Sequence, residues 1–581
     1  MTTDVSPGLD KRRTLLLALL LTFGFAVVVG QLVRYQLLQY SELKELSDKQ
    51  VTWEEAVDRE RGSITDSKGN ILAMNMTQWD ISADLPYITR AGRETTAKAL
   101  APLLGLPEQE VMTVLSTTSD DWVPLKAQVP QEVGEEIRDL ALDGIQCRPS
   151  PLRVFPQASL TAYVIGLVNA TGEGFWGVEG YHNEALKAVP GSTVIEKDAS
   201  GEPLPAAPSR RDPGRPGTSL VLTLDLNIQY IAQEELEKAI KEYDAESGTV
   251  IVMDPKSGSI LAMVSYPGYD PNSYATSEPL TVFDPAVSAI WEPGSMFKLI
   301  TWAAALDLGT IAPGTLFYDT ACTEVGGRSV CNWDRKEHGW VTASDALAQS
   351  LNVVAAQIST GMGSERFYTY VRRFGFGSGT GIDLDSEEPG IVRQPGDSDW
   401  FPSDLGTNAF GQGIAVTPIQ MITAVCAIAN GGLLVQPHTV DQLVTPEEGG
   451  TGVQVRHVET TISRRAISEA AARQLTEMMV GTVDNFATKA QVPGYRVAGK
   501  SSTAQIPTPY GYDPTLTIAS YIGFAPADAP QFAILVKLDK PRTSEWGTQT
   551  AGPTFKAITE RLFLYLKIPP DSVRLAQQGL Q

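Results

Sequence analysis

Two residues three positions apart, Ser295 and Lys298, lie in a run from Pro293 to Leu306 that holds no other charge. The run spans about three helical turns and is apolar on nearly every side, the pattern of a buried helix. A lysine ammonium placed there loses hydration, so its pKa falls toward neutrality and it becomes a base. The i,i+3 spacing brings the serine hydroxyl onto the same helix face. Pro293-Gly294 starts the helix near the serine, beside free backbone N–H groups and the positive end of the dipole. The chemistry implied is nucleophilic, with a serine activated by a neighbouring lysine. The same spacing at Ser41 and Lys44 falls in a polar stretch and carries no such implication.

Two later patterns could complete such a site. Ser350-Leu-Asn352 follows a helix read over Thr342–Gln349, and a hydroxyl and an amide two residues apart at a helix junction can both face a cleft. Val497–Gln505 has strand character, and period-2 alternation sends Lys500 and Ser502 to one face and Ser501 and Thr503 to the other. Taken singly, the first is an ordinary helix end and the second a solvated edge strand. The four histidines, His182, His338, His438 and His457, lie in none of these motifs, so a Ser-His-Asp scheme has no obvious base. No metal-ligand cluster is evident and no cofactor is expected.

At 581 residues the chain has material for more than one domain. A net charge of −22 argues against nucleic acid as a partner. Thr14–Val33 is uncharged over about 20 positions, enough to span a bilayer. Lys11-Arg12-Arg13 precedes it, which predicts a cytoplasmic N-terminus (1–13), a single-pass anchor (14–33) and an exported body. No small-x-small cleavage site follows the run. Tyr35–Gln50 reads as a helical continuation and Arg61–Ala73 as a strand turning at Lys68-Gly69-Asn70. Residues 93–142 read as mostly helical. The Pro/Gly/Ser/Arg-rich stretch 198–217 reads as a linker between a domain at 34–197 and another at 218–570, with a tail at 571–581. In the later domain, strands at both ends with helices between predict an α+β layer, one antiparallel sheet against a helical cluster. Cys322 and Cys331 are symmetric about Gly326-Gly327, a pair suited to a two-residue hairpin turn. That register sets them opposite each other within disulfide range, and either a bridge or two reduced thiols fits the sequence.

Ser-x-x-Lys, Ser-x-Asn and a lysine strand, in this order at domain-scale spacing, resemble the motif trio of the penicillin-binding transpeptidases and serine β-lactamases. Gly411-Gln-Gly413 with Thr417-Pro-Ile-Gln420, Asp254–Ala262, Tyr269–Asn272 and Arg61-Gly-x-Ile-x-Asp66 resemble further landmarks of the class B penicillin-binding proteins. The resemblance implies a transpeptidase domain of the penicillin-binding/β-lactamase type on an elongated non-catalytic pedestal. It also implies a peptidoglycan D,D-transpeptidase that binds penicillin covalently. Glutamate-bearing glycosyltransferase motifs are not seen. In such enzymes Lys298 would deprotonate Ser295, which attacks the D-Ala-D-Ala stem peptide. The N–H groups of Ser295 and Thr503 would hold the oxyanion and Ser350 would relay a proton. Asn352, Lys500, Ser501, Ser502 and Thr503 would bind the peptide. Class B members work beside a multi-spanning SEDS-type glycan polymerase, so such a partner, among other wall-synthesis proteins, is implied.

One position departs from the family pattern: Ser502 stands where the third motif usually has glycine, which implies altered substrate or β-lactam fit. A β-lactamase or β-lactam sensor, and a scaffold with a dead site, remain alternatives. Rapid penicillin turnover would mark the former, and indifference to loss of Ser295 the latter.

Overall fold

The computed structural model describes residues 7–44, 52–57, 59–117, 121–196, 210–276, 283–447, 452–509 and 511–577. The chain forms two compact units, residues 1–59 with 188–216, and residues 60–187 with 217–581.

In the first unit, the helix Pro7–Val33 runs into a π-helical turn at Arg34–Leu38. Among the described residues one helix is long and apolar enough to cross a membrane, Lys11–Leu38, with a hydropathy of 2.4. The expected helical continuation falls partly on residues 45–50, which lie outside the described residues. The same unit holds a three-stranded antiparallel sheet in which Gly191–Glu196 pairs with Thr52–Val57 and with Arg210–Asp212. Most of the expected linker, 198–209, lies outside the described residues. Its remainder is not free chain, because the ladder to residues 192–194 fixes Arg210–Asp212 through backbone groups that composition does not reveal.

The second unit is built on a five-stranded antiparallel sheet: β1 (Ser247–Met253), β2 (Ile260–Tyr266), β3 (Ala498–Thr508), β4 (Gly511–Ala525) and β5 (Phe532–Asp539), in the order β2-β1-β5-β4-β3. Helices α1 (Leu226–Tyr243), α2 (Lys298–Asp307), α3 (Asn352–Met362), α4 (Pro418–Ala429), α5 (Glu469–Asn485) and α6 (Ala551–Tyr565) cover it on both sides. From Val250 to Met253 strand β1 is an unbroken apolar run because both of its faces are buried. Val250 and Val252 enter one core with Leu236 of α1 and Phe555 of α6, while Ile251 and Met253 enter the other with α2 to α5. Burying one such side chain is worth about 1.5–3 kcal/mol, so the two cores together position everything attached to the sheet.

A second sheet joins Ile64–Thr65, Ile71–Asp84, Trp122–Pro130 and Ile145–Val154 to Ser219–Leu222, Val440–Pro446 and Val453–His457. Trp122–Pro130 corrects the helical reading of residues 93–142, although Gly92–Leu104, Glu108–Leu115 and Gln131–Asp139 are helices as read. Pro124 and Pro130 argue against a strand interior, but this strand pairs with Ile71–Asp84 alone, and an edge tolerates missing N–H donors. The expected tail at 571–581 begins instead with the helix Asp571–Gln577, held by Arg574 against Asp528 and Asp571 at 2.7 and 2.5 Å. Residues 578–581 lie outside the described residues.

Candidate active site

Gly294–Phe297 forms a tight 3₁₀ turn that leads directly into α2 at Lys298. In a 3₁₀ turn residues three apart eclipse one another, so Ser295 and Lys298 stack on one side. Lys298 Nζ lies 3.2 Å from Ser295 Oγ, at a residue with 0% exposure. The entry to the turn is tightly packed. Gly294 adopts φ +54° and donates its N–H to Gly411 O at 3.2 Å. A Cβ on Gly411 would sit 2.3 Å from Gly294 O, so glycine at 411 is what lets this segment reach the Gly294–Phe297 turn.

Ser350 follows the helix Ala343–Ala348 in a left-handed conformation, φ +61°, just before α3 begins at Asn352. This bend returns both polar side chains to the lysine. Lys298 Nζ contacts Ser350 O at 2.6 Å, Asn352 Oδ1 at 2.8 Å and Ser350 Oγ at 3.2 Å. The carbonyl and the amide oxygen can only accept, so they take two N–H bonds. An uncharged amine then keeps its lone pair for a serine hydroxyl proton.

On the other wall Lys500, from β3, reaches Ser350 Oγ at 3.1 Å. Among the described residues no carboxylate is bonded to either lysine. Burial first, and the Lys500 ammonium second, hold Lys298 well below the ordinary lysine range. Burial alone pushes Lys500 down to about 7. The arrangement thus sets at a serine an amine that burial drives toward its neutral form and, beside it, a second lysine pushed down to about 7.

The cleft has a volume of about 390 Å³, and Ser295, Ser350, Asn352 and Lys500–Thr503 all line it, with Lys298 buried beneath. The structure therefore brings together all eight side chains singled out in the sequence. Ser502 Oγ donates to Pro293 O at 2.8 Å, filling the space beside Gly294. Thr503 Oγ1 accepts from Gly547 N at 3.1 Å.

A model of the penicillin binding protein transpeptidase domain matches residues 248–560, and a model of the penicillin-binding protein dimerisation domain matches residues 56–222. Stage V sporulation protein D of Bacillus subtilis is 31% identical over 553 residues, covering 94% of this chain and 84% of that protein. The peptidoglycan D,D-transpeptidase FtsI of Escherichia coli is 27% identical, covering 95% of this chain and 91% of its own length. A solved peptidoglycan synthetase from Bifidobacterium adolescentis superposes with a TM-score of 0.72 at 27% identity, covering 90% of this chain and 98% of that one.

The chain belongs to the class B penicillin-binding proteins. For a penicillin-binding protein, the most consequential residues missed in the sequence are those that hold the Ser-x-Asn corner. Asn332 is 2% exposed, and its Oδ1 accepts from the N–H groups of Asn352 and Val353 at 2.9 and 3.2 Å. It thereby caps α3, which has no capping side chain of its own. Its Nδ2 donates to both oxygens of buried Asp319 at 2.9 and 2.8 Å. Cys331 O accepts from Asn352 Nδ2 at 3.0 Å, which turns the amide oxygen toward Lys298. The hairpin ahead of Asn332 pairs Cys322 with Cys331 and closes on a disulfide between them. Trp333 and Trp546 also line the cleft, their rings edge to face at 5.3 Å. The Cys322 and Cys331 pair about the Gly-Gly hairpin turn pointed to this region, but nothing in the local pattern linked it to Asn352.

Proposed function

We propose that this chain cross-links peptidoglycan as a serine D,D-transpeptidase anchored by its N-terminal helix, with the N-terminus cytoplasmic and the catalytic body outside the membrane. The observation that carries the reading is Lys298 Nζ, buried and held well below the ordinary lysine range, 3.2 Å from Ser295 Oγ in a cleft shared with Ser350, Asn352 and Lys500. Lys298 takes the proton of Ser295, whose Oγ attacks the penultimate carbonyl of a stem peptide ending in D-Ala-D-Ala. The backbone N–H groups of Ser295 and Thr503 hold the oxyanion. Ser350, which touches both lysines, passes a proton to the departing D-alanine. Lys500, Ser501 and Thr503 receive the terminal carboxylate, and Asn352 the peptide amide. Ser502 braces the strand against the catalytic turn. A second stem peptide then resolves the ester. Water in its place gives a carboxypeptidase side reaction.

A β-lactam enters by the same attack and stays as a stable ester. The family's habit of working beside a SEDS-type glycan polymerase extends to this chain as part of the proposal. Mass spectrometry of the full-length protein in detergent after penicillin treatment tests the assignment. One adduct on Ser295, lost in Ser295→Ala, is expected. An adduct elsewhere, or rapid release of hydrolysed penicillin, would overturn it.

A further inference from the structure

Cross-linking needs two peptides, and the cleft around Ser295 accounts for one. A second cavity of about 550 Å³ adjoins it, and the two share Ala348 and Phe486 in their walls. Neither Ser295 nor any residue of the Lys500–Ala504 strand lines the second cavity, so the donor-recognition elements stay in the first. The second groove runs along α5 and is chemically mixed. Arg473 and Glu477 bring opposite charges, Gln474 and Asn485 bring amides, and Met478 and Phe486 bring apolar surface. Arg473 is exposed and bonded to Glu469 at 3.2 Å, a contact that a ligand carboxylate can replace at little cost. The Gln474 side chain makes no hydrogen bond within the described residues.

We propose that this groove is the acceptor subsite. It binds a second stem peptide, a short zwitterionic peptide with a free primary amine and a terminal carboxylate, and leads the amine past Ala348 and Phe486 to the ester on Ser295. The inference rests on the transpeptidase reading. In the step served, the uncharged amine nitrogen bonds to the ester carbonyl carbon and the bond from that carbon to Ser295 Oγ breaks. The proton lost by the nitrogen returns to Oγ through Lys298. D-Alanine has already left, so no further reagent is needed. Water attacking the same ester gives the hydrolysed donor, and occupancy of the groove sets the ratio of the two products.

The wall offers a selective perturbation. A Cβ added to Gly481, in the groove wall, meets nothing within 4 Å, so Gly481→Phe starts its side chain from open space and projects a ring into the groove. Arg473→Glu reverses the charge offered to the acceptor carboxylate. The assay uses the full-length protein in detergent, a D-Ala-D-Ala stem peptide as donor and a stem tetrapeptide with a free side-chain amine as acceptor. Aminolysis and hydrolysis products are measured against acceptor concentration, and penicillin acylation of Ser295 is measured in parallel. In Gly481→Phe the acceptor concentration for half-maximal aminolysis is expected to rise about tenfold or more, and in Arg473→Glu about fivefold. Penicillin acylation should stay within about twofold in both. Unchanged product ratios in both variants would overturn the proposal, as would a parallel fall in aminolysis and acylation. Absence of a Ser295 adduct in the unsubstituted protein would instead overturn the transpeptidase reading itself.

Discussion

Two buried charge clusters, one at Lys298 and Lys500 and one at Arg61, Glu179 and Arg153, resolve the same physical problem in opposite ways. Glu179 is fully buried and lies between two guanidiniums, with Arg61 Nε and Arg153 Nε each donating at 2.8 Å. Asn183 and Asn75 take further guanidinium bonds at 2.9 and 3.1 Å. Burial lowers the Arg153 pKa and Glu179 works against that, so charge is met by charge. At Lys298 and Lys500 burial is as deep, yet the partners are hydroxyls, carbonyls and an amide. With no counter-charge, the cheapest answer is to lose a proton. One cluster meets buried charge with charge and fastens the structure, and in the other burial without a counter-charge drives the lysines toward their neutral forms.

The strongest break in this contrast is Lys298→Met, which keeps the stem and removes the amine. Loss of a general base costs about 10²–10⁴-fold, so the penicillin acylation rate should fall about 10³-fold. Thermal stability should hold or rise, since a poorly solvated amine is gone. A loss of acylation below tenfold would mean that Ser295 has another base.

The paired cluster should answer with stability. Glu179→Gln leaves two buried guanidiniums without a counter-charge, and breaking a buried pair from one side costs about 3 kcal/mol or more. Thermal or denaturant unfolding of the full-length protein should register that loss, with acylation per folded molecule unchanged. An intact unfolding transition would show that Asn75 and Asn183 suffice.

Differences in pH response sharpen the contrast. Lys500 titrates at about 7 when folded, against 10.5 ordinarily. Between these values the unfolded chain holds a proton that the folded chain lacks, so stability rises with pH across that window. The slope is at most about 1.4 kcal/mol per pH unit, and Lys500's contribution to it should vanish in Lys500→Met. Lys298 is shifted in the same direction and must be neutral to act, so acylation climbs as its proton leaves. Donors with a carboxylate should lose kcat/KM above about pH 7, as Lys500 goes neutral. A profile with no alkaline limb would remove Lys500 from carboxylate recognition.

What the sequence made legible follows from the same physics. A lone lysine in an apolar helix announces its own environment, so Ser295 and Lys298 could be read directly. Alternation along β3 placed Lys500 and Ser502 on one face, and both are buried, Lys500 against Ser350 and Ser502 against Pro293. Asn332 could not be read, because its partners are distant in sequence and a single buried asparagine leaves no period. Trp546 belongs to the connection between β5 and α6, and only the closing of the fold brings it to Trp333. The edge strand Trp122–Pro130 was hidden by its prolines, and the Glu179 cluster by long-range ion pairs of the same kind. Local pattern reports burial well, and it reports partnership poorly.

Ser502→Gly is the smallest perturbation and tests how finely the reactive cluster is held. The Ser502 hydroxyl donates to Pro293 O, one residue before Gly294, and a Cβ on Gly294 would lie 2.5 Å from that hydroxyl oxygen. The serine thus ties β3 to the Gly294–Phe297 turn through a bond worth about 1 kcal/mol, and glycine there also adds backbone freedom. Stability should fall by about 1 kcal/mol, read from thermal unfolding. Acylation by bulky β-lactams should rise, by less than about tenfold, because the space beside Gly294 opens while Lys298 keeps its contacts with Ser350 and Asn352. Those contacts come from α3 and its approach, not from β3, so the base should survive the change. A hundredfold loss of acylation would mean that the turn is held from the strand side, and that the Asn332 corner cannot position the amine alone.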